Sequence, residues 1–267
     1  MARRMEAGTL TAAILGATLI GGLALPAQAQ DSLDLSALPA QKRDSLDLSA
    51  TAAFTTDYVF RGISQTQDGP AVQASLDASY GIFYLGAWGS NIDFGGNDFG
   101  ADIANIEIDY YGGIAPMWQG FSFDIGGIYY TYPGAYDPGG DFNYFELKTG
   151  ATYTFFDALT LGVTNYWSPE YSGEIGNADA LELAGEYAFT NKWWIFTPSV
   201  SALVGWQWFD DTASVDYTYW NVGLTLGFLD NWSADVRYWD SDITDASCIN
   251  GPNSCDERVV GTISASF

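Results

Sequence analysis

Hydrophobic and polar residues alternate with a period of two along most of the chain, from about residue 48 to its end. In the last segment, Val259, Ile263 and Phe267 fall on one face, whereas Arg258 and Thr262 fall on the other. This alternation is typical of β-strands whose two faces meet different environments. We predict twelve such strands, at about 48–61, 71–80, 83–92, 104–115, 121–132, 143–154, 159–168, 179–189, 194–207, 217–228, 232–240 and 257–267.

The connections between these predicted strands alternate in length. The links after strands 2, 4, 6, 8 and 10 are short, such as Gly81-Ile82, and the others are longer and rich in Gly, Asp, Asn and Ser. Single-chain outer-membrane barrels have an even number of strands, with short periplasmic turns and long external loops. Most of the segments have roughly the 9–11 residues that a tilted strand needs to cross a bilayer. The sequence therefore predicts an all-β fold, a transmembrane antiparallel up-and-down β-barrel of about 12 strands with both termini in the periplasm.

A secreted β-sandwich is the alternative fold, because its strands also alternate between apolar and polar residues. A sandwich predicts neither an even strand count nor the alternation of short and long connections. The chain ends on Phe267, and a terminal aromatic residue on a last strand resembles the signal that the outer-membrane assembly machinery reads. We therefore expect the barrel in the bacterial outer membrane, with that machinery and outer-membrane lipid as partners.

The N-terminus predicts a secretory signal peptide over residues 1–29. Arg3 and Arg4 precede an almost wholly apolar or small stretch from Leu10 to Leu25, and Ala27-Gln28-Ala29 is a small-x-small cleavage site. The apolar stretch is shorter than the roughly 20 residues that a membrane-spanning helix needs. An uncleaved helical anchor is therefore disfavoured.

A tandem repeat follows the predicted signal peptide. The segment 31–37 recurs unchanged at 44–50, and the intervening residues are polar. We expect a periplasmic tail over 30–47 and the barrel over 48–267. A duplication without function and a tether to peptidoglycan or to a partner both remain open for the repeat, because only its position supports a tether.

The chain is strongly acidic. Cleavage after residue 29 would remove Arg3, Arg4 and Glu6, which leaves 7 of 9 basic and 32 of 33 acidic residues and changes the net charge from −24 to −25. Nucleic acid is disfavoured as a partner, because phosphate binding needs a basic face. Cations are instead the favoured counter-charge.

The sequence contains no histidine, which removes Ser-His-Asp and Cys-His triads and histidine-ligated metals from consideration. An enzyme would have to work with carboxylates alone, so we expect neither an enzyme nor a cofactor. The loop 91–102 offers Asp93, Asn97, Asp98 and Asp102 as oxygen ligands. Their spacing does not match a calcium-binding EF-hand loop, and a solvated loop is the favoured interpretation.

Cys248 and Cys255 are the only cysteines and lie in one predicted loop. In an oxidising envelope, such a pair is expected to form a disulfide that closes the loop. A metal site with two cysteines and no other soft ligand is disfavoured.

Four runs resemble the TorF-type porin family, a group of proteobacterial outer-membrane proteins first catalogued as conserved hypotheticals. The longest and most specific is Phe54-Thr-Thr-Asp-Tyr-Val-Phe-Arg-Gly-Ile-Ser-Gln65, and the others follow in the family's order at 70–77, 86–91 and 107–112. The resemblance covers roughly residues 48–267 and leaves out the repeat, and the loop with the two cysteines is not a feature associated with the family. It implies a porin-like barrel and names no substrate.

If the apolar face of each strand meets lipid, the other face lines the lumen. The predicted lumen residues are Asp57, Arg61, Asp77, Glu107, Asp109, Asp124, Glu146, Lys148, Glu182, Glu186, Asp235, Arg237 and Arg258. We expect Arg61, Arg237 and Arg258, on strands 1, 11 and 12, to form a basic wall opposite an acidic wall on strands 4, 6 and 8. Facing charges of this kind select permeating solutes, but the same groups could also pair across a plugged interior.

The resulting functional hypothesis is passive diffusion of small hydrophilic solutes or ions across the outer membrane, with a modest preference for cations. The alternative is a non-conducting structural or surface-interaction barrel. Twelve strands lie between the filled 8-stranded barrels and the open 16-stranded porins, so the strand number does not distinguish a narrow pore from a filled lumen. The permeating solute and the oligomeric state do not follow from the sequence.

Overall fold

The structure is a computed structural model that describes residues 43–96, 103–136, 141–211, 214–248 and 253–267. The predicted signal peptide and the first copy of the repeat lie outside the described residues, as do Asn97, Asp98 and Asp102 of the loop considered for calcium. The second copy of the repeat forms part of the first strand.

Twelve long antiparallel strands form a single closed sheet in the described part of the chain. They are β1 (Arg43–Thr55), β2 (Ala71–Gly81), β3 (Phe83–Asn91), β4 (Ile106–Ile114), β5 (Phe121–Thr131), β6 (Tyr144–Phe155), β7 (Leu159–Ser168), β8 (Ala178–Ala188), β9 (Thr197–Phe209), β10 (Tyr217–Phe228), β11 (Trp232–Ser241) and β12 (Arg258–Ser266). Each strand pairs with its neighbours in sequence, and β1 pairs with β12 to complete the ring. The predicted all-β, 12-stranded barrel is therefore confirmed.

Shorter elements lie outside this ring. Val59–Phe60 pairs with Ile63–Ser64, Met117–Trp118 extends β5 at one end, and Asp245–Ser247 forms one turn of 3-10 helix. No helix among the described residues is long and apolar enough to cross a membrane.

Two predicted boundaries were wrong. β1 runs from residue 43 to residue 55 rather than from 48 to 61, because it pairs with β2 as far back as Gly81 and the chain leaves the sheet after Thr55. β9 begins at Thr197 rather than at 194, because Trp193 and Phe196 pair with each other in a tight turn. The connection 189–196 is therefore longer than predicted, and the alternation of short and long connections is less strict than expected.

The two faces of the sheet differ as the alternation predicts. On β2, the outward Val72 and Leu76 are 64% and 68% exposed, whereas the inward Gln73 is 1% exposed. Large apolar side chains point outward from every strand, and the buried polar and charged side chains point inward. An apolar belt around a polar interior is the arrangement that a transmembrane barrel requires.

We call the end with the connections 82, 115–120, 156–158, 189–196 and 229–231 the short-turn end, and the opposite end the long-loop end. Exposed aromatic side chains gather at the short-turn end, among them Phe156, Trp118, Trp194 and Phe267. The backbone of Phe267 exchanges two 2.9 Å hydrogen bonds with Ala50. Phe267 therefore extends the pairing between β1 and β12, which closes the barrel.

The closed ladder generates a first prediction. Purified protein in SDS should migrate faster before boiling than after it, because a closed set of strand hydrogen bonds leaves no edge at which detergent can open the sheet. Gel electrophoresis of unheated and heated samples tests this, and the heated sample of the same preparation is the control. Identical migration, together with recovery of the protein in the soluble periplasmic fraction, would contradict a membrane barrel.

Candidate functional site

The segment between β1 and β2 turns into the barrel instead of extending away from it. We call residues 56–68 the inward hairpin, because Val59–Phe60 pairs with Ile63–Ser64 and residues 57–66 are all buried. Its tip is formed by Arg61 and Gly62, which have positive φ angles of 46° and 82°. The inward hairpin therefore occupies the lumen at the long-loop half of the barrel.

Glycine is required at the tip of the inward hairpin for two reasons. The φ of Gly62 lies in the region that L-residues with a side chain rarely adopt. A Cβ at this position would also lie 2.9 Å from the Cβ of Tyr219 and 3.1 Å from that of Ser241. The backbone of the tip thus packs directly against the inner surface of β10 and β11.

Asp57 organises the stem of the inward hairpin. Its Oδ1 accepts hydrogen bonds from Ser64 Oγ (2.7 Å) and Thr66 Oγ1 (2.8 Å), so the carboxylate joins the two arms. Its Oδ2 accepts from Arg258 Nη1 at 2.7 Å, and the same nitrogen contacts Asp68. The stem is therefore tied to β12 by an ion pair whose Asp57 and Arg258 side chains are largely buried.

Arg61 connects the tip of the inward hairpin to the far wall. Its guanidinium donates to both carboxylate oxygens of Glu146 on β6, at 2.9 and 2.8 Å, and to Gln207 Oε1 on β9 at 2.8 Å. The rings of Phe60 and Tyr166 lie 4.9 Å from its central carbon. Paired hydrogen bonds of this kind are among the strongest between charged groups, so this contact holds the tip of the inward hairpin against the far wall.

Aromatic rings fill the space beside this contact. Tyr130 and Tyr144 stack with their ring centroids 4.4 Å apart, and Tyr171 packs 4.6 Å from Tyr144. Phe60 of the inward hairpin meets Tyr130 edge-on at 5.9 Å. The long-loop half of the lumen is thus a packed interior around the inward hairpin.

Tyrosine hydroxyl groups donate to many of the inward carboxylates. The pairs are Tyr111 with Asp77, Tyr132 with Glu107, Tyr84 with Asp124, Tyr130 with Glu146 and Tyr219 with Glu182. Tyr132 lies just beyond β5, and its burial, together with the charges of Glu107 and Asp109, raises its pKa well above the ordinary value. A tyrosine hydroxyl group that donates to a carboxylate satisfies it without adding a positive charge.

The short-turn half of the lumen is lined by polar and charged side chains. Lys148 pairs with Asp124 at 2.9 Å, and Arg237 pairs with Asp235 at 3.0 Å. Arg237 lies flat against the wall because Gly223 faces it, and a Cβ there would be 2.7 Å from the guanidinium carbon. Small inward residues therefore leave room for charged side chains along this half.

The structure places all thirteen predicted lumen residues on the inner side of the sheet or in the inward hairpin. Glu107, Asp109, Asp124, Glu146, Glu182 and Asp235 are buried on β4, β5, β6, β8 and β11, and Asp77, Lys148, Glu186, Arg237 and Arg258 are inward on β2, β6, β8, β11 and β12. Asp57 and Arg61 belong to the inward hairpin rather than to strand 1. Arg61 crosses to Glu146, and the other two arginines pair with neighbouring carboxylates, so the predicted separate basic wall is wrong.

Several residues of the site were not singled out from the sequence. Gln207 and Tyr166 bind the Arg61 side chain, and Tyr130 and Tyr219 bind carboxylates. Their positions on the inner face follow from the alternation, since each lies an even number of residues from another inward residue on its strand. Their partners depend on strand pairing and on the path of the inward hairpin, which the local pattern does not contain.

The predicted disulfide between Cys248 and Cys255 is present, with an S–S distance of 2.07 Å. It lies in the connection between β11 and β12. Among the described residues, no group of three or more acidic or cysteine side chains is arranged to hold a metal ion.

A closed antiparallel barrel with an apolar outer face and a charged inner face has the architecture of an outer-membrane porin. Solved porins share it: the KdgM porin matches with a TM-score of 0.55 and 11% identity, over 82% of this chain and 99% of that chain. The KdgM porin in complex with disordered oligogalacturonate matches equally well, at 10% identity over 82% and 98% of the two chains. The NanC porin matches with a TM-score of 0.49 and 11% identity, over 83% and 99%.

The chain belongs to the family described as "Bacterial protein of unknown function (Gcw_chp)", whose profile matches residues 40–267. No curated protein matches the chain in sequence. The resemblance seen in the four runs and the family profile thus cover nearly the same residues. The assignment to the TorF-type porin family stays a prediction.

A second prediction concerns the contact across the lumen. Changing Glu146 to Gln should lower the free energy of unfolding by about 3 kcal/mol, because it leaves the buried Arg61 charge without its carboxylate. Denaturant titration of the refolded barrel measures this. Glu186→Gln is the matched control, since Glu186 is inward but partly exposed. An equal, small effect of the two changes would show that the contact does not stabilise the barrel.

A third prediction tests the packing of the inner wall. A Cβ at Gly205 would overlap the ring of Tyr219, whereas one at Gly261 would meet only Thr56 Cγ2 at 3.8 Å. Gly205→Ala should therefore cost about 1–3 kcal/mol, typical of overpacking, by displacing Tyr219 from Glu182. Gly261→Ala, the control, should change the unfolding midpoint little. Comparable midpoints for both variants would contradict the tight packing of Tyr219.

Proposed function

We propose that this protein is a porin-like, non-enzymatic channel of the bacterial outer membrane through which small hydrophilic solutes or ions diffuse passively, with a modest preference for cations. The porin fold, the apolar outer face and the charged inner face support the channel. We further propose that the short-turn end and both termini face the periplasm, as short turns do in such barrels. Phe267 would then be available to the assembly machinery before the seam closes.

The observation that carries the cation preference is the balance of inward charges. Among the thirteen predicted lumen residues, nine carboxylates stand against four bases, and the four bases lie in ion pairs with Glu146, Asp124, Asp235 and Asp57. Because the bases are fewer, pairing cannot neutralise the acidic groups, and the hydrogen bonds from tyrosines do not remove charge. These thirteen residues therefore have an excess of formal negative charge, which would concentrate cations.

The inward hairpin limits the size of the solute. It reaches from β1 to β6 and β9, and aromatic rings pack beside it. A 12-stranded barrel is narrower than the open 16-stranded porins, and with the inward hairpin in its lumen the path is suited to ions and very small solutes. One solved porin with this fold was studied with oligogalacturonate, which is a polyanion, and the acidic excess here opposes such a solute.

The second candidate function is a non-conducting barrel with a structural or surface-interaction role. The packed long-loop half, with residues 57–66 all buried, favours it. Single-channel recording in a planar bilayer separates the two candidates. A folded, heat-modifiable preparation that never produces current steps would overturn the channel and favour the structural role.

The fourth prediction concerns ion selectivity. In a salt gradient at low ionic strength, the reversal potential should indicate cation preference, and Glu107→Gln combined with Glu182→Gln should move it toward zero. Both side chains are buried in the lumen wall, at 2% and 1% exposure. The preference should weaken at high salt, because the Debye length falls from ~10 Å at 0.1 M to ~3 Å at 1 M.

Asp230→Asn provides the matched control for this measurement. It removes one negative charge, where the double variant removes two, from the exposed turn between β10 and β11, and asparagine tolerates the positive φ of 60° at this position. The control should leave the reversal potential unchanged. Anion preference of the unmodified protein at low salt would contradict the proposal and indicate that the arginines control the path.

A further inference from the structure

The loop closed by the disulfide lies against the inward hairpin rather than projecting away from the barrel. Cys255 is 3% exposed and packs in one apolar cluster with Val59 and Ile63, one from each arm of the inward hairpin. Cys248 lies at the edge of the same cluster. The disulfide is therefore part of the packing that surrounds the inward hairpin.

Hydrogen bonds join the two segments as well. The backbone N–H of Ser64, in the inward hairpin, donates to the carbonyl oxygen of Ser254 at 2.7 Å. On the other side of the loop, Ser241 Oγ at the end of β11 donates to the carbonyl oxygen of Cys255 at 3.2 Å. Ser254 thus binds the backbone of the inward hairpin, and Cys255 binds the end of β11.

Arg258 completes the connection. It donates to the carbonyl oxygens of Asn253 (2.8 Å) and Asp256 (3.1 Å) within the loop, and it pairs with Asp57 and Asp68 near the two ends of the inward hairpin. One side chain therefore fixes the shape of the loop and binds the stem of the hairpin. The geometry of residues 253–256 decides whether all of these contacts form together.

We propose that the disulfide loop, residues 248–258, is a clasp that retains the inward hairpin in the lumen, so that reduction of Cys248–Cys255 loosens the hairpin and raises the conductance. The structural part depends only on the contacts above, and the conductance part rests on the proposed channel function. All of these contacts are made by the described residues 248 and 253–258 of the loop.

The physical basis is the restriction that the disulfide places on a short loop. The bond links residues seven positions apart and limits the conformations open to Ser254 and Cys255. After reduction, that segment must be ordered by its remaining contacts alone, so the hydrogen bond to Ser64 and the packing on Val59 weaken. Arg61 still holds the tip at Glu146, so the hairpin becomes mobile without the barrel unfolding.

The test uses the intact protein inserted in detergent or a planar bilayer, with the reductant tris(2-carboxyethyl)phosphine as the probe. Alkylation and mass measurement establish how many thiols are free after treatment, and the gel shift on heating shows that the barrel remains folded. Hydrogen–deuterium exchange of peptides covering 56–68, which contain no cysteine, reports the hairpin directly. Single-channel recording reports the current under the same conditions.

We expect reduction to accelerate amide exchange in the inward hairpin by about tenfold, to leave exchange on β6 to β9 unchanged, and to increase the conductance and its fluctuations. The Cys248→Ser, Cys255→Ser double variant should behave like the reduced protein and should not respond to reductant. This variant also removes any doubt about incomplete reduction of a buried bond.

The outcomes separate this inference from the proposed function. Unchanged exchange at 56–68 in both the fully reduced protein and the double variant would overturn the clasp, whatever the current does. Faster exchange without any current in either state would support the clasp and overturn the channel. Faster exchange with an unchanged conductance would show that the hairpin does not limit the path, and the conductance part of the proposal would fail.

Discussion

The closed ladder of backbone hydrogen bonds around the twelve strands constrains everything else in this molecule. Because β1 pairs with β12 and β4 pairs with β5, the sheet that the described residues form has no free edge, and every strand must send alternate side chains inward. A backbone that is satisfied in this way can tolerate an apolar outer surface in lipid. The polar side chains of the strands therefore point into the lumen, where they are crowded and need partners.

The interior meets this requirement by combining ion pairs with tyrosine hydroxyl groups. The basic residues are too few to match the carboxylates, and tyrosines take the remaining role of donors, as in the pairs Tyr219–Glu182 and Tyr132–Glu107. A buried carboxylate without a donor would cost its full desolvation free energy, and a hydrogen bond from a hydroxyl group reduces this cost. A tyrosine donor adds no positive charge, so this way of satisfying the carboxylates is compatible with the proposed preference for cations.

The inward hairpin is held differently from the strands. Its own ladder consists of two short paired segments, and it depends on contacts at its tip, at its stem and with the disulfide loop. A rigid barrel that contains a segment held by a few discrete contacts can change its lumen without changing its wall. This division matches the general observation that elements that move are those with fewer stabilising interactions than the core.

The sequence by itself determined the barrel: the alternation predicted the twelve strands, most within two residues of their observed ends, and the inward position of the charged residues on them. It also indicated the disulfide, because two cysteines in one loop leave few alternatives. Only the tertiary structure decided the path of residues 56–68, since Asp57, Val59 and Arg61 continue the alternation of β1 and look like more strand. Arg61 binds Glu146, 85 positions away, and the disulfide loop packs on the hairpin; both contacts exist because closing the sheet brings distant strands together around one lumen.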